Sequence, residues 1–422
     1  MNPMGSPRSR LTLAAAALAA RARRPLLFAG AAALVVGVAR LDVHRVCWSK
    51  DEIDLVSAAV AMQEHGEAWL RPSYHPFDPQ AFQRLGNGLI APPLASALMA
   101  LPGALGLRTP DAWPLLGGLL FFAGIALVAR SLGASRLPVL LAVVAATLCL
   151  APRLILDMLS LEGEIPLTGL GLLALGVAMG RGDRRLVARA ALSGALLGAA
   201  FLCKLWLVGP VALAAGFVWI VRSGGRRPAV LAALSGGFLA TASVHLAFIA
   251  WLDPVSLGRW LREVYFAAFG LGGVAATKWT GVAAHPGWSH GAWYYPAAIV
   301  RELGVVAPLA AFGVFRLACQ RRRAARARAA AAPTKRLRAA LLGCAVGVAI
   351  LSVPPIKEPL YVLPALAFGV AIAARALYLL SRSRRASPAL AAAVVISIIV
   401  AVTVRAPTPP KDDGRIPHLQ QR

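Results

Sequence analysis

Asp51 and Glu52 stand side by side in the segment Cys47-Trp48-Ser49-Lys50-Asp51-Glu52-Ile53-Asp54, and the apolar spacing from Ile53 to Met62 predicts a helix lying on a membrane surface. Asp51 falls at the start of that helix, where the helix dipole favours an ionised carboxylate, so it can cap the helix or hold its charge for chemistry. Glu52, its neighbour, must point in another direction. A third acid, Glu164 in Glu164-Ile165-Pro166-Leu167, opens a later apolar run, where a first-turn acid ahead of proline is also an ordinary helix start. Asp157 and Glu162 are neighbours able to substitute for it. Among the cations, Lys204 lies near the end of an apolar run and is costly there unless it meets water, a carboxylate or a phosphate. Lys357 sits with Glu358 in a short turn between two apolar runs.

The elements that must position these groups are membrane helices. The 422 residues are 58% hydrophobic and 15% charged with a mean hydropathy of +0.67, outside the range of soluble globular chains. The polar stretches are short and scattered, which leaves no room for a large soluble domain. Apolar runs occur at Leu26–Leu41, Trp113–Val128, Leu137–Ala151, Ile165–Gly180, Ala190–Trp206, Val208–Val221, Ala229–Leu252, Trp293–Phe315, Ala339–Pro354, Leu360–Leu380 and Pro388–Val404. Each is near the ~20 residues that span a bilayer. The expected fold class is therefore all-α: a polytopic membrane bundle of about 11 transmembrane helices with interfacial helices in the first outer loop. Residues 1–405 read as one membrane domain and 406–422 as a short polar tail. Five arginines before Leu26 favour an uncleaved first helix over a signal peptide, although Leu11–Ala20 has the look of a short signal core.

The formal charge of +26 would point to nucleic acid in a soluble protein. Sorting the bases by membrane side removes that reading. If Ala91–Leu107, broken by Pro92, Pro93, Pro102 and Gly103, lies at the interface, the basic loops all fall on one side. These are the N-terminus, Arg130–Arg136, Arg181–Arg189, Arg222–Arg227, Arg316–Arg338 and Arg382–Arg385, which hold about 26 of the 44 basic residues and only one acid, Asp183. That side is expected to be cytoplasmic, which makes the protein integral to the inner (cytoplasmic) membrane. The long non-basic loops, His44–Ile90 and Asp253–Ala292, then lie outside with nearly all the acids, so any chemistry is extracytoplasmic. Five dispersed cysteines give neither a zinc site nor a disulfide framework, and His285 and His290 have no third metal ligand at useful spacing. Trp293-Tyr294-Tyr295-Pro296 reads as an interfacial aromatic belt.

In this setting the order of motifs resembles the membrane glycosyltransferases of GT-C type, specifically the protein O-mannosyltransferase and lipid A aminoarabinose transferase superfamily. The Asp51-Glu52 pair after the first helix and Ala91-Pro92-Pro93-Leu94 at the loop's close match that family's first external loop. Glu164-Ile165-Pro166-Leu167, preceded by Arg153, resembles its Asp-x-Pro-Leu site. Gly194, Gly198, Ala200, Leu202 and Lys204 keep the register of its glycine-rich, lysine-terminated helix, while the glycine spacing is also that of ordinary helix packing. Lys357-Glu358-Pro359-Leu360-Tyr361-Val362-Leu363-Pro364 resembles its Lys-x-x-x-Tyr-x-x-Pro motif, the most specific of the matches. Two departures stand out: Ala91 replaces a Lys or His common among relatives, and the tail is shorter than the extra soluble domain of some of them.

The resemblance implies transfer of a sugar from a polyprenyl-phosphate donor to a lipid, glycan or protein acceptor, within membrane lipid and without nucleic acid. It gives Asp51 the role of general base, with inversion at the anomeric carbon, Glu52 as its companion and Glu164 as an acceptor-side acid. Lys204 and Lys357 are the implied phosphate ligands, assisted by Arg153 and Tyr361. No cofactor is required, because lysines can neutralise a departing lipid monophosphate. A divalent metal held by carboxylates and waters would leave little trace in sequence. A polytopic transporter or lipid flippase, which would place ionisable groups near the midplane, and a non-catalytic scaffold of the same fold remain the alternatives.

Overall fold

The computed structural model describes residues 109–133, 137–149, 151, 164–180, 185–203, 208–252, 291–304, 306–324, 328–353 and 359–381. Among them there are ten α-helices and no strands: α1 Thr109–Ser131, α2 Leu137–Cys149, α3 Glu164–Met179, α4 Leu186–Cys203, α5 Gly209–Ser223, α6 Arg227–Leu252, α7 Tyr294–Leu303, α8 Val306–Ala324, α9 Arg328–Leu351 and α10 Leu363–Ser381. Short 3-10 turns, Gly224–Arg226 and Pro359–Val362, precede α6 and α10. The runs Leu26–Leu41 and Pro388–Val404, the Ala91–Leu107 segment and most of both long loops lie outside the described residues.

By length and composition three described stretches can cross a membrane, Leu186–Cys203, Gly209–Val244 and Leu363–Leu380, with the bent pair Tyr294–Leu303 and Val306–Arg316 as a fourth. Contacts along the helices give their directions. On α3, Ile165, Gly169, Leu172 and Leu127 of α1 opposite Gly176 follow one another in step with Gly117, Phe121 and Gly124, so α1 and α3 are parallel. Ser193 Oγ donates to the carbonyl of Ala174 (3.0 Å) and Arg189 Nη2 to that of Val177 (2.6 Å), so α4 runs back against α3. Gly171 meets Val211 and Arg222 reaches Ala178, which makes α5 parallel to α3; Gly194 on Leu234 and Gly198 on Phe238 make α6 parallel to α4. The stretch Gly209–Val244 therefore reverses at Gly224, whose φ of 50° is open to glycine, and α5 and α6 are two passes rather than one. For α1, α3, α4, α5 and α6 these directions agree with the alternation read from the sequence.

Helix pairs are joined where glycine removes a side chain. Methyl groups on Gly124 or Gly169 would stand 2.7 Å and 2.6 Å from the facing backbone, and Gly343 and Gly347 seat α9 on Leu213 and Pro210 of α5. In lipid, where apolar burial gives helices little reason to associate, such close backbone approach recovers the packing energy. Helix α3 lies at the centre, with 13 of its 16 residues buried.

The run Trp293–Phe315 is not one straight helix. It breaks at Gly304 (φ 46°) into α7 and α8, which meet at 98°. A signal for the break is in the chain: Arg301 and Glu302 form an ion pair (3.0 Å) next to Gly304, and charges inside an apolar run are costly in hydrocarbon.

Candidate functional site

Charge divides the bundle into two ends. Every described Lys and Arg except Arg301 lies at one end of its helix set, the basic end, and the described acids Asp111, Glu164 and Glu302 all lie toward the other. At the basic end three arginines from three helices converge on the last carbonyls of α3. Arg189 donates to Val177, Arg222 Nη1 to Ala178 (2.8 Å), and Arg336 Nη1 to Met179 (3.1 Å) and Gly180 (2.8 Å). These are the acceptors a helix leaves unsatisfied at its C-terminus, and the guanidinium charges also suit the negative end of its dipole. Arg375, itself buried, does the same for the end of α1, donating through Nε to Leu132 (3.1 Å).

Glu164 occupies the opposite end of α3, in its first turn, and is 1% exposed. A carboxylate there complements the positive end of the same dipole. The face it occupies follows from the helical period. Ile165, Gly169, Leu172 and Gly176 form the stripe toward α1, and Gly171 faces α5. At about 100° per residue, Glu164 and Thr168 fall in the sector between α1 and α5. Helix α10 touches α1, α3 and α5 and so fills that sector.

Tyr361 lies in the 3-10 turn that leads into α10, half-buried against the core. Its level can be read from the Arg375–Leu132 tie. At about 1.5 Å of rise per residue, Gly117 of α1 lies about 22 Å from that tie and Tyr361 about 21 Å. Gly117 abuts Ile165, with a methyl on it falling 3.2 Å from Ile165 Cγ2, so Glu164 and Tyr361 stand at the same level to within about two turns. Both belong to the acid end, in the same sector. Asp51, Glu52, Arg153, Lys204 and Lys357 lie outside the described residues; α4 ends at Cys203, one residue before Lys204.

Three features at this end were not read from the sequence. Thr168, one turn below Glu164 on the same face, is fully buried and its Oγ1 has no hydrogen-bond partner among the described residues. The aromatic cluster is divided rather than uniformly interfacial: Trp293 is 80% exposed, while Tyr295 is fully buried, edge-on to Tyr294 at 5.4 Å. Third, α7 packs on α10 and on the 3-10 turn of Tyr361, with Leu303 seated on Gly369. Among the described residues no three His, Cys, Asp or Glu side chains gather as a metal site would require.

No protein-family model and no curated protein matches the sequence. Solved structures do. ArnT from Cupriavidus metallidurans bound to undecaprenyl phosphate superposes with a TM-score of 0.61 at 17% identity, over 89% of this chain and 63% of the ArnT chain. Its apo form gives 0.60 at 18% identity, over 92% and 67%. The fold is of the GT-C type. The oligosaccharyltransferase AglB from Archaeoglobus fulgidus, in complex with an inhibitory peptide and a dolichol-phosphate, is a looser likeness at 0.49 and 13% identity. Within the GT-C fold, this chain spans somewhat less than two thirds of the length of undecaprenyl-phosphate-bound ArnT.

Proposed function

We propose that the chain is a membrane glycosyltransferase that moves a sugar from a polyprenyl-phosphate donor to an acceptor hydroxyl on the side of the membrane opposite the basic end, the extracytoplasmic side of the inner membrane. The observation that carries the reading is the ArnT-like fold over 89% of the chain, with ArnT itself holding an anionic polyprenyl lipid. The burial of Glu164 at the acid end, within about two turns of the level of Tyr361, supports it, because two residues of the motifs that resemble the family then share one end of the bundle.

In this scheme the acceptor oxygen attacks the anomeric carbon in line as its proton passes to Asp51. The bond from that carbon to the phosphate oxygen breaks, the configuration inverts, and the lipid monophosphate departs. Lys204 and Lys357, assisted by Arg153 and Tyr361, hold the charge that grows on the phosphate, lysine acting as a mobile point charge and arginine as a fork. Glu164 orients the acceptor, with Glu52 beside Asp51 as its companion. A base in hydrogen-bond reach of the hydroxyl contributes about 10²–10⁴-fold.

The test is transfer of labelled sugar from polyprenyl-phosphate donors in membranes carrying the parent, Asp51→Asn or Lys357→Ala. The parent transfers, Asp51→Asn falls by about 10²-fold or more, and Lys357→Ala needs more donor for the same rate. Full transfer by Asp51→Asn removes the base assignment, and no transfer from any donor by the parent removes the enzyme.

A further inference from the structure

Thr168 breaks a pattern that other buried hydroxyls of these helices keep. Thr147 Oγ1 donates to the carbonyl of Val143 (2.7 Å) and Ser352 Oγ to that of Val348 (2.8 Å), each four residues back, while Ser193 donates across to α3. Thr168 does neither. It is fully buried, and its Oγ1 has no hydrogen-bond partner among the described residues. It forgoes even the carbonyl of Glu164, four residues back, which a threonine inside a helix can take for itself. A hydroxyl shut away from water without a bond is costly, and such a group calls for a reason.

The surroundings narrow the reason. Gly169 brings α3 hard against the backbone of α1, Gly171 brings it against Val211 of α5, and the buried residues of α10 from Val362 to Val370 are all apolar. On the same face, one turn toward the acid end, stands the carboxyl group of Glu164, 1% exposed. Side chains four apart on a helix have Cβ atoms about 5–6 Å apart and lean toward the helix N-terminus, so Thr168 leans toward Glu164. We propose that Thr168 is a positioning residue for Glu164. Its hydroxyl donates to one carboxyl oxygen of Glu164, either across one water or by turning about its own Cα–Cβ bond, and the other oxygen is thereby aimed at the acceptor hydroxyl. Both groups stand on one face of one helix, so the tie needs no movement of the backbone. The role at the acceptor rests on the proposed glycosyl transfer, whereas the tie between the two side chains does not.

The tie is tested by the unfolding midpoints of the full chain in mixed micelles for Thr168→Val, Glu164→Ala and the two together. Valine keeps the shape and drops the hydroxyl. In the parent background Thr168→Val lowers the midpoint, because it strands the carboxyl group; beside Glu164→Ala it raises the midpoint, because the hydroxyl it removes has nothing left to bind. Equal shifts in the two backgrounds overturn the proposal. The role is tested by transfer of labelled sugar over a range of acceptor concentrations. Thr168→Val loses about tenfold in kcat/KM for the acceptor with the donor KM unchanged, and Thr168→Ser, which keeps the hydroxyl, stays within about twofold of the parent. A Thr168→Val chain as fast as the parent, or a Thr168→Ser chain as slow as Thr168→Val, also overturns it. Absence of transfer by the parent removes the glycosyl-transfer reading instead, and the micelle midpoints then decide the tie by themselves.

Discussion

Gly194 and Gly216 provide a matched pair for asking whether the glycines of α4 serve packing. A methyl added at Gly194 would fall on the carbonyl of Leu234 and within 3.0 Å of the Phe238 backbone nitrogen, whereas one added at Gly216 of α5 meets nothing within 4 Å. Backbone cannot rotate aside as a side chain can, so Gly194→Ala must push α4 and α6 apart by on the order of 1 Å along a seam that also includes Gly198 and Gly237. Overpacking of this kind costs about 1–3 kcal/mol. Replacing glycine by alanine inside a helix gains up to about 1 kcal/mol where nothing opposes it. Gly216→Ala should therefore stabilise slightly and Gly194→Ala should destabilise by about 1–2 kcal/mol net. The assay is unfolding in mixed micelles of rising sodium dodecyl sulfate content, followed by the fluorescence of the ten tryptophans. The two midpoints should move in opposite directions. Equal shifts, or a more stable Gly194→Ala, would mean that α4 and α6 do not meet as described and that the glycine register belongs to something other than packing.

Arg336→Gln removes two charge-assisted bonds to the end of α3 and should cost about 1.5–3 kcal/mol in zwitterionic micelles, against about 0.5 kcal/mol or less for exposed Arg338→Gln; equal costs would refute the cap. Glu164→Gln should lower sugar transfer by about 10²-fold while Asp157→Asn leaves it near the parent rate, and the reverse result would move the role to the neighbouring acid. Membrane-impermeant thiol reagents should reach Cys47 and Cys319 from opposite sides, while the buried Cys203 and Cys344 stay unlabelled until the chain is unfolded. Labelling of both from one side would break the alternation of the spans.

Most of the helices were legible because an apolar run long enough to cross lipid has one stable backbone answer, and the edges of α3, α5 and α6 fall within two residues of the runs that announced them. The bend between α7 and α8 was missed although its signal was present. Arg301-Glu302-Leu303-Gly304 places a charge pair and a glycine inside an otherwise apolar stretch, and hydropathy averaged over the run conceals them. Glu164 was legible as the first turn of α3 from the proline two residues on. Thr168 was not, since a threonine in an apolar helix looks the same whether its hydroxyl is satisfied or buried without a partner. Nor was the triple cap: Arg336 reaches Met179 across 157 residues of sequence, and in the chain it is one more base in a cytoplasmic-type loop.

That cap links the two ends of the molecule. Helix α3 has 16 residues and a length of about 24 Å, against a hydrocarbon layer of about 30 Å. Were its capped C-terminus to stand at one hydrocarbon boundary, a helix of that length would end about 6 Å short of the other, with Glu164 inside the far leaflet. A free helix with an acid at that depth would relieve the cost by sliding outward. Here sliding would break the hydrogen bonds to Val177, Ala178, Met179 and Gly180. The arginines at the end of α3 thereby fix the position of Glu164 along the bundle. In that placement the carboxylate would suit the proposed donor, whose lipid chain stays in the leaflet while its phosphate and sugar lie at the boundary.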